Sequence, residues 1–98
     1  MNIQAMMKQA QKMQKDMLAT KEEIDKMIFE GKSSFVTVEV NGKKELINIK
    51  IESENMDKDD IEMLQDMIVV AVNEAMKKVD EETENKMGKF TQGMPGLF

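Results

Sequence analysis

Between Ile3 and Met27 one row of positions, Ile3, Met6, Ala10, Met13, Met17, Thr20, Ile24 and Met27, advances in alternating steps of three and four, and only Thr20 in it is polar. That spacing is a heptad seam along one side of a helix. No Gly or Pro interrupts residues 1–30. Ala, Met, Lys, Gln and Glu all favour helix, so the pattern predicts a helix from about residue 2 to 28. Its methionines read as a soft packing stripe rather than a ligand box, because unbranched thioethers fill irregular gaps.

The period then switches to that of a strand. In FVTVEVNGKKELINIKI, residues 35–51, Val36, Val38 and Val40 alternate before Asn41-Gly42, and Ile47, Ile49 and Ile51 alternate after it. Asn-Gly between alternating apolar residues predicts a hairpin with a two-residue turn. In that register Val40 opposes Lys43, Glu39 opposes Lys44, Val38 opposes Glu45 and Val36 opposes Ile47, which puts all three Val and all three Ile on one face. Glu39 and Lys44 then make an exposed cross-strand ion pair. The other face, with Phe35, Thr37, Glu39, Leu46, Asn48 and Lys50, is partly wet. The preceding IFEGKS either frays from the first helix or forms a third strand.

The helical period returns after ENMDKDDIEML. Asp57 is suited to cap a helix, and Asp59, Asp60 and Glu62 fill a first turn where negative charge is favourable. A calcium loop would need a Gly at its sixth position and a Glu at its twelfth, and this stretch has neither, so the acids read as capping. Ile61, Leu64, Ile68, Ala71, Ala75 and Val79 line one face of the helix, widened by Met67, Val70, Val72 and Met76, and Thr83, Met87 and Phe90 carry the stripe on. The middle of this helix is apolar almost all round and requires cover on more than one side, from the sheet and from another subunit.

Ninety-eight residues bound the chain at one domain. It has no Cys, His, Trp, Tyr or Arg, which removes the common zinc sites and the Ser-His and Cys-His nucleophile systems. Paired carboxylates such as Asp59 and Glu62 are all that remains for an enzyme, without a visible pocket or metal set. No enzyme activity, cofactor or small-molecule substrate is therefore expected. The longest apolar run, MIVVAV at residues 67–72, is too short to span a bilayer, and the N-terminus does not resemble a secretory signal. A cytoplasmic protein with no membrane partner is the expectation.

Length and charge together give the functional reading. The two helices, about 40 and 45 Å long at 1.5 Å per residue, exceed the diameter of a small domain and should project as arms. Met1 and Met87 should then share the far end of an antiparallel helix pair. One hairpin cannot cover both apolar faces, so a two-fold homodimer is expected. The net charge is −5, which by itself disfavours a polyanion. Yet residues 1–21 carry Lys8, Lys12, Lys15 and Lys21 against Asp16 alone, a net +3 that leaves −8 on the remainder. Lys8, Lys12 and Lys15 lie opposite the seam, while Lys86 and Lys89 precede the tail. Such a stripe suits phosphates, unless Asp80, Glu81, Glu82 and Glu84 on the neighbouring helix neutralise it.

The start MNIQAMMKQAQKMQKDM, the strand region VTVEVNGKKELINIKIE, the helix DIEMLQDMIVVAVNEAMKKV and the ending KMGKFTQGMPGLF together resemble the YbaB/EbfC family of bacterial nucleoid-associated, DNA-binding proteins over essentially the whole chain. The resemblance implies an α+β protomer ordered helix, short antiparallel three-stranded sheet, long helix. It also implies a tweezer-like homodimer with projecting helical arms, and it favours IFEGKS as the first strand. Residues 1–87 form the expected domain. Residues 88–98 form a flexible Gly/Met/Pro tail in which Gly88 can end the helix and Met94, Leu97 and Phe98 are apolar hooks.

The leading expectation is a homodimer in the bacterial nucleoid that binds double-stranded DNA with low sequence selectivity through Lys8, Lys12, Lys15, Lys86 and Lys89, possible effects being on gene expression, recombination or nucleoid organisation. Lysine is a point charge suited to phosphate, whereas the commonest base contact uses Arg, which this chain lacks. Asn2, Gln4, Gln9, Gln11 and Gln14 could touch bases or sugars, although exposed polar filler suits most of them. The alternative is a non-enzymatic adaptor that docks a partner through its Met-rich helices or apolar tail.

Overall fold

A computed structural model describes residues 2–54 and 56–91. Five elements build it: helix α1 (Ile3–Asp25), strands β1 (Ile28–Ser33), β2 (Val36–Asn41) and β3 (Leu46–Ile51), and helix α2 (Ile61–Thr91), which a short 3-10 turn at Lys58–Asp60 introduces. The strands form an antiparallel sheet in the order β1-β2-β3. The α+β order expected above is present, and IFEGKS is a strand.

Local chemistry accounts for the ends of these elements. Asn2 caps α1, its side-chain oxygen accepting from the backbone N–H of Gln4 and Ala5 at 3.1 and 3.3 Å, which satisfies donors that no earlier turn can. Asp57 precedes the 3-10 turn, and its N–H donates to the Asp60 carboxylate at 3.1 Å. The expected capping role of this acidic segment is therefore what the structure shows there. At the other end α2 does not stop at Gly88 but runs to Thr91. A helical Gly costs about 1 kcal/mol against Ala, and the burial of Phe90 just beyond it outweighs that cost. Of the tail expected over residues 88–98, residues 88–91 are helical and residues 92–98 lie outside the described residues.

The hairpin register differs from the expectation. The β2–β3 connection is still at Asn41-Gly42 but is not a two-residue turn; the tight turn joins β1 to β2 at Ser34-Phe35, where Ser33 pairs with Val36 and Ser34 takes a φ of 54°. Asn41-Gly42 instead opens a longer loop. The Asn41 side-chain oxygen accepts from the N–H of Lys43 and Glu45 at 2.9 and 3.0 Å, its amide donates to the Glu45 carboxylate at 2.7 Å, and Lys44 sits at a φ of 63°. An Asn that satisfies its own loop in this way competes with the tight turn. Val36 therefore opposes Ile51, Val38 opposes Ile49, Glu39 opposes Asn48, and a bulge leaves Val40 opposite Leu46. Glu39 accepts from the Asn48 amide at 3.3 Å, and Lys44 pairs with Asp80 instead of Glu39. Val36 and Val38 still share a face with Ile51 and Ile49, as the pleat requires of opposed residues.

Helix α2 lies across that face over β1 and β2. Val36, Val38, Val40, Ala71 and Ala75 are fully buried, Phe29 and Val79 nearly so, and Leu64, Met67, Ile68, Val72 and Met76 pack around them. Gly31 makes the approach possible: a Cβ there would stand 1.9 Å from the Ala71 carbonyl oxygen and 2.8 Å from the Ala75 nitrogen. A strand glycine under two helix alanines lets the backbones meet. Gly42 has the same function under α1, where a Cβ would stand 1.9 Å from the Ile24 carbonyl oxygen.

Candidate nucleic-acid interface

Helix α1 leaves the body as an arm. Ile24, Met87 and Phe90 are buried together, and Met13 and Met17 pack against them, in a cluster separate from the core under the sheet. The helices are antiparallel, but Met87 is buried with Ile24 near the base of α1, and Phe90 shares a groove with Met6, Ala10 and Met13. Ile3, at the start of α1, and Met87 therefore do not share a level; Met1, for which that was expected, lies outside the described residues. The α1 seam from Ala10 to Ile3 continues past α2, with Ile3 at 71% and Met6 at 49% exposure. The principal extents of 71 × 22 × 14 Å reflect these projections.

This offset decides the charge question. Lys8, Lys12 and Lys15 are exposed on the arm, and among the described residues none of them is ion-paired with an acid. Two of the α2 acids, Asp80 and Glu82, face other cations. With Phe90 level with Met13, Asp80 stands about 15 Å nearer the sheet at 1.5 Å per residue, where it pairs with Lys44. Glu82 acts on Lys86. A shallow groove of about 500 Å³ runs along the arm, lined by Met6, Gln9, Ala10, Lys12, Met13, Asp16 and Phe90. Asp16 is the acid that α1 itself brings near Lys12.

The remaining predicted cations are engaged differently. Lys86 donates to the Glu23 carboxylate at 2.9 Å and is about one third exposed. Its hydrogen bond with Glu23 raises the Lys86 pKa, and the same hydrogen bond, followed by the ammonium charge, lowers that of Glu23. Lys86 thus fastens α1 to α2. The Lys89 ammonium lies 5.0 Å from the centre of the Phe90 ring, a cation–π distance, near the end of α2. The Asn2 side-chain oxygen is spent on the helix cap.

Sequence reasoning missed a second groove at the base of the arm, about 540 Å³ in volume and lined by Lys21, Lys43 and Lys44 together with Asp25, Asp80 and Met87. Lys43 and Lys44 reach it because Gly42 seats the β2–β3 loop against α1, a contact with no signature in the local pattern. Among the described residues, no group of three or more His, Cys, Asp or Glu is placed to hold a metal ion. None of the described helices is long and apolar enough to cross a membrane.

The YbaB/EbfC DNA-binding family matches residues 1–94. A nucleoid-associated protein of Bacillus licheniformis is 54% identical over 101 residues, covering 99% of this chain and 94% of its own length. Another from Clostridium novyi is 50% identical over 102 residues, covering all of this chain and 90% of its own. A crystal structure of a Helicobacter pylori protein superposes with a TM-score of 0.71 over 91% of this chain and 96% of that one, at 24% identity, and so shares the fold.

Proposed function

The chain belongs to the YbaB/EbfC DNA-binding family, and from that premise we propose that it binds duplex DNA at the bacterial nucleoid as a homodimer, through phosphate contacts of Lys8, Lys12 and Lys15. The family is a DNA-binding one and not an enzyme family. The observation that carries the site is the position of these three lysines on an arm beyond the acids of α2. Lys89 adds charge near the same groove, and Lys86 acts by holding the arm in place.

The homodimer rests on uncovered apolar surface. Every residue of β3 is exposed although Ile49 and Ile51 share the face that α2 covers on β2. Ile49 and Ile51 are 38% and 41% exposed, and Ile61, Val69 and Val70 of α2 exceed 50%. A second copy packed on β3 and α2 would bury this face and give two arms, each with its lysines.

Fluorescence anisotropy of a labelled random-sequence duplex, titrated at several salt concentrations, tests this reading. With four to eight phosphates neutralised per dimer, the logarithmic salt slope should be about −4 to −7, and nearly the same on a second sequence. Absence of binding even at low salt would refute it.

A further inference from the structure

The joint that holds α1 to the body is built largely of methionine. Met13 and Met17 pack on a buried group of Ile24, Met87 and Phe90. Beyond this cluster, the Glu23–Lys86 ion pair and the seat of Gly42 under Ile24 tie the arm down. The chain has no Cys, His, Trp or Tyr, so its thioethers are its readily oxidised side chains. Residues of the joint line two grooves. One of about 540 Å³ is lined by Ile24, Val79 and Met87, and one of about 500 Å³ by Met6, Met13 and Phe90. Each is far larger than the roughly 30 Å³ share of a water molecule, so a small peroxide can enter.

We infer that Met13, Met17 and Met87 form an oxidant-sensitive joint, at which a peroxide converts thioethers to sulfoxides and loosens α1 from the body. In each step a sulfur lone pair attacks a peroxide oxygen, the O–O bond breaks as the S–O bond forms, sulfur is oxidised by two electrons, and hydrogen peroxide is reduced to water. The product places a strong dipole in an apolar cluster, and leaving such a dipole without a donor is costly. Freed at its base, the arm no longer holds its lysines in one arrangement. The loss of DNA affinity that follows rests on the DNA-binding reading above; the loosening itself does not.

The test treats the full chain with hydrogen peroxide, maps sulfoxides by mass spectrometry, and follows both hydrogen exchange along α1 and anisotropy of a labelled duplex. With Met13, Met17 and Met87 oxidised, exchange over residues 13–24 should speed up at least about tenfold and the duplex Kd rise at least about fivefold, both reversed by methionine sulfoxide reductases acting on both epimers. A Met13→Leu, Met17→Leu, Met87→Leu variant should lose the response, since Leu nearly conserves the volume of Met. Replacement of the exposed Met7 and Met63 by Leu should leave the response in place. If the triple variant folds poorly, reductase reversal on the unmodified sequence carries the test. Resistance of the three methionines to excess peroxide, unchanged exchange once they are oxidised, or a response that persists in the folded triple variant would overturn the inference. A reduced protein that fails to bind DNA, with the exchange response intact, would instead overturn the DNA-binding reading.

Discussion

Helices α1 and α2 carry apolar stripes of similar regularity, yet α2 buries its stripe from Ala71 to Phe90 while α1 buries Ile24 alone and half-buries Met13 and Met17. The body is held by close packing in which backbones meet at Gly31. The arm is held by a five-residue cluster, one ion pair and the seat of Gly42 under Ile24 at its base. An apolar stripe thus states what a helix is able to bury, and the length of its neighbour decides how much it does bury. Where α2 ends, α1 keeps its lysines clear of the acids, and the chain gains a basic surface despite its net charge of −5.

The sharpest way to break this contrast is in the body. Gly31→Val would thrust side-chain atoms into the Ala71 carbonyl and the Ala75 nitrogen, lift α2 from the sheet, and cost about 3–5 kcal/mol, as overpacking against backbone does at its most severe. Urea denaturation reads this directly, and a midpoint equal to that of the parent chain would show that the helix–strand approach is dispensable. Phe90→Ala attacks the joint instead. Because the cluster is small and stands apart from the main core, a loss of about 2 kcal/mol is expected, below the range for Phe in a full core, with faster hydrogen exchange concentrated in α1. Equal acceleration throughout the sheet would mean that arm and body unfold as one unit.

Charge changes on the arm should separate function from stability. Lys12→Glu with Lys15→Glu should shift stability by less than about 0.5 kcal/mol, since both side chains are exposed. The same change should weaken duplex binding at least about tenfold and flatten its salt slope. Retained affinity in the folded variant would move the DNA surface off the arm. The smallest effect belongs to Glu23. Its folded-state pKa is lowered by Lys86, so its contribution is present above the ordinary glutamate range and is lost as pH falls through the folded value. The Lys86 pKa is raised, so its share is present below the ordinary lysine value and fades as pH rises past it. Glu23→Gln should therefore flatten the acid side of the arm's exchange profile and leave the sheet unchanged.

The order of elements, the face shared by valines and isoleucines, the cap at Asp57 and the family signature were legible from periodicity and motif, because each depends on neighbours a few residues away. The hairpin turn at Asn41-Gly42 is wider than expected, and the register shifts with it, because Asn41 satisfies a longer loop through its own side chain, a choice that local composition does not separate from a tight turn. Gly31 and Gly42 carried no readable reason either, since the carbonyls that exclude a Cβ belong to α2 and α1. The residue types on the arm, lysines opposite a methionine seam, were written in the sequence alone. Which lysines stand clear was settled only by tertiary structure. The register of two antiparallel helices places Phe90 at Met13 and gives Lys86 to Glu23, and that register depends on packing between residues some sixty to eighty positions apart in the chain; the β2–β3 loop gives Lys44 to Asp80.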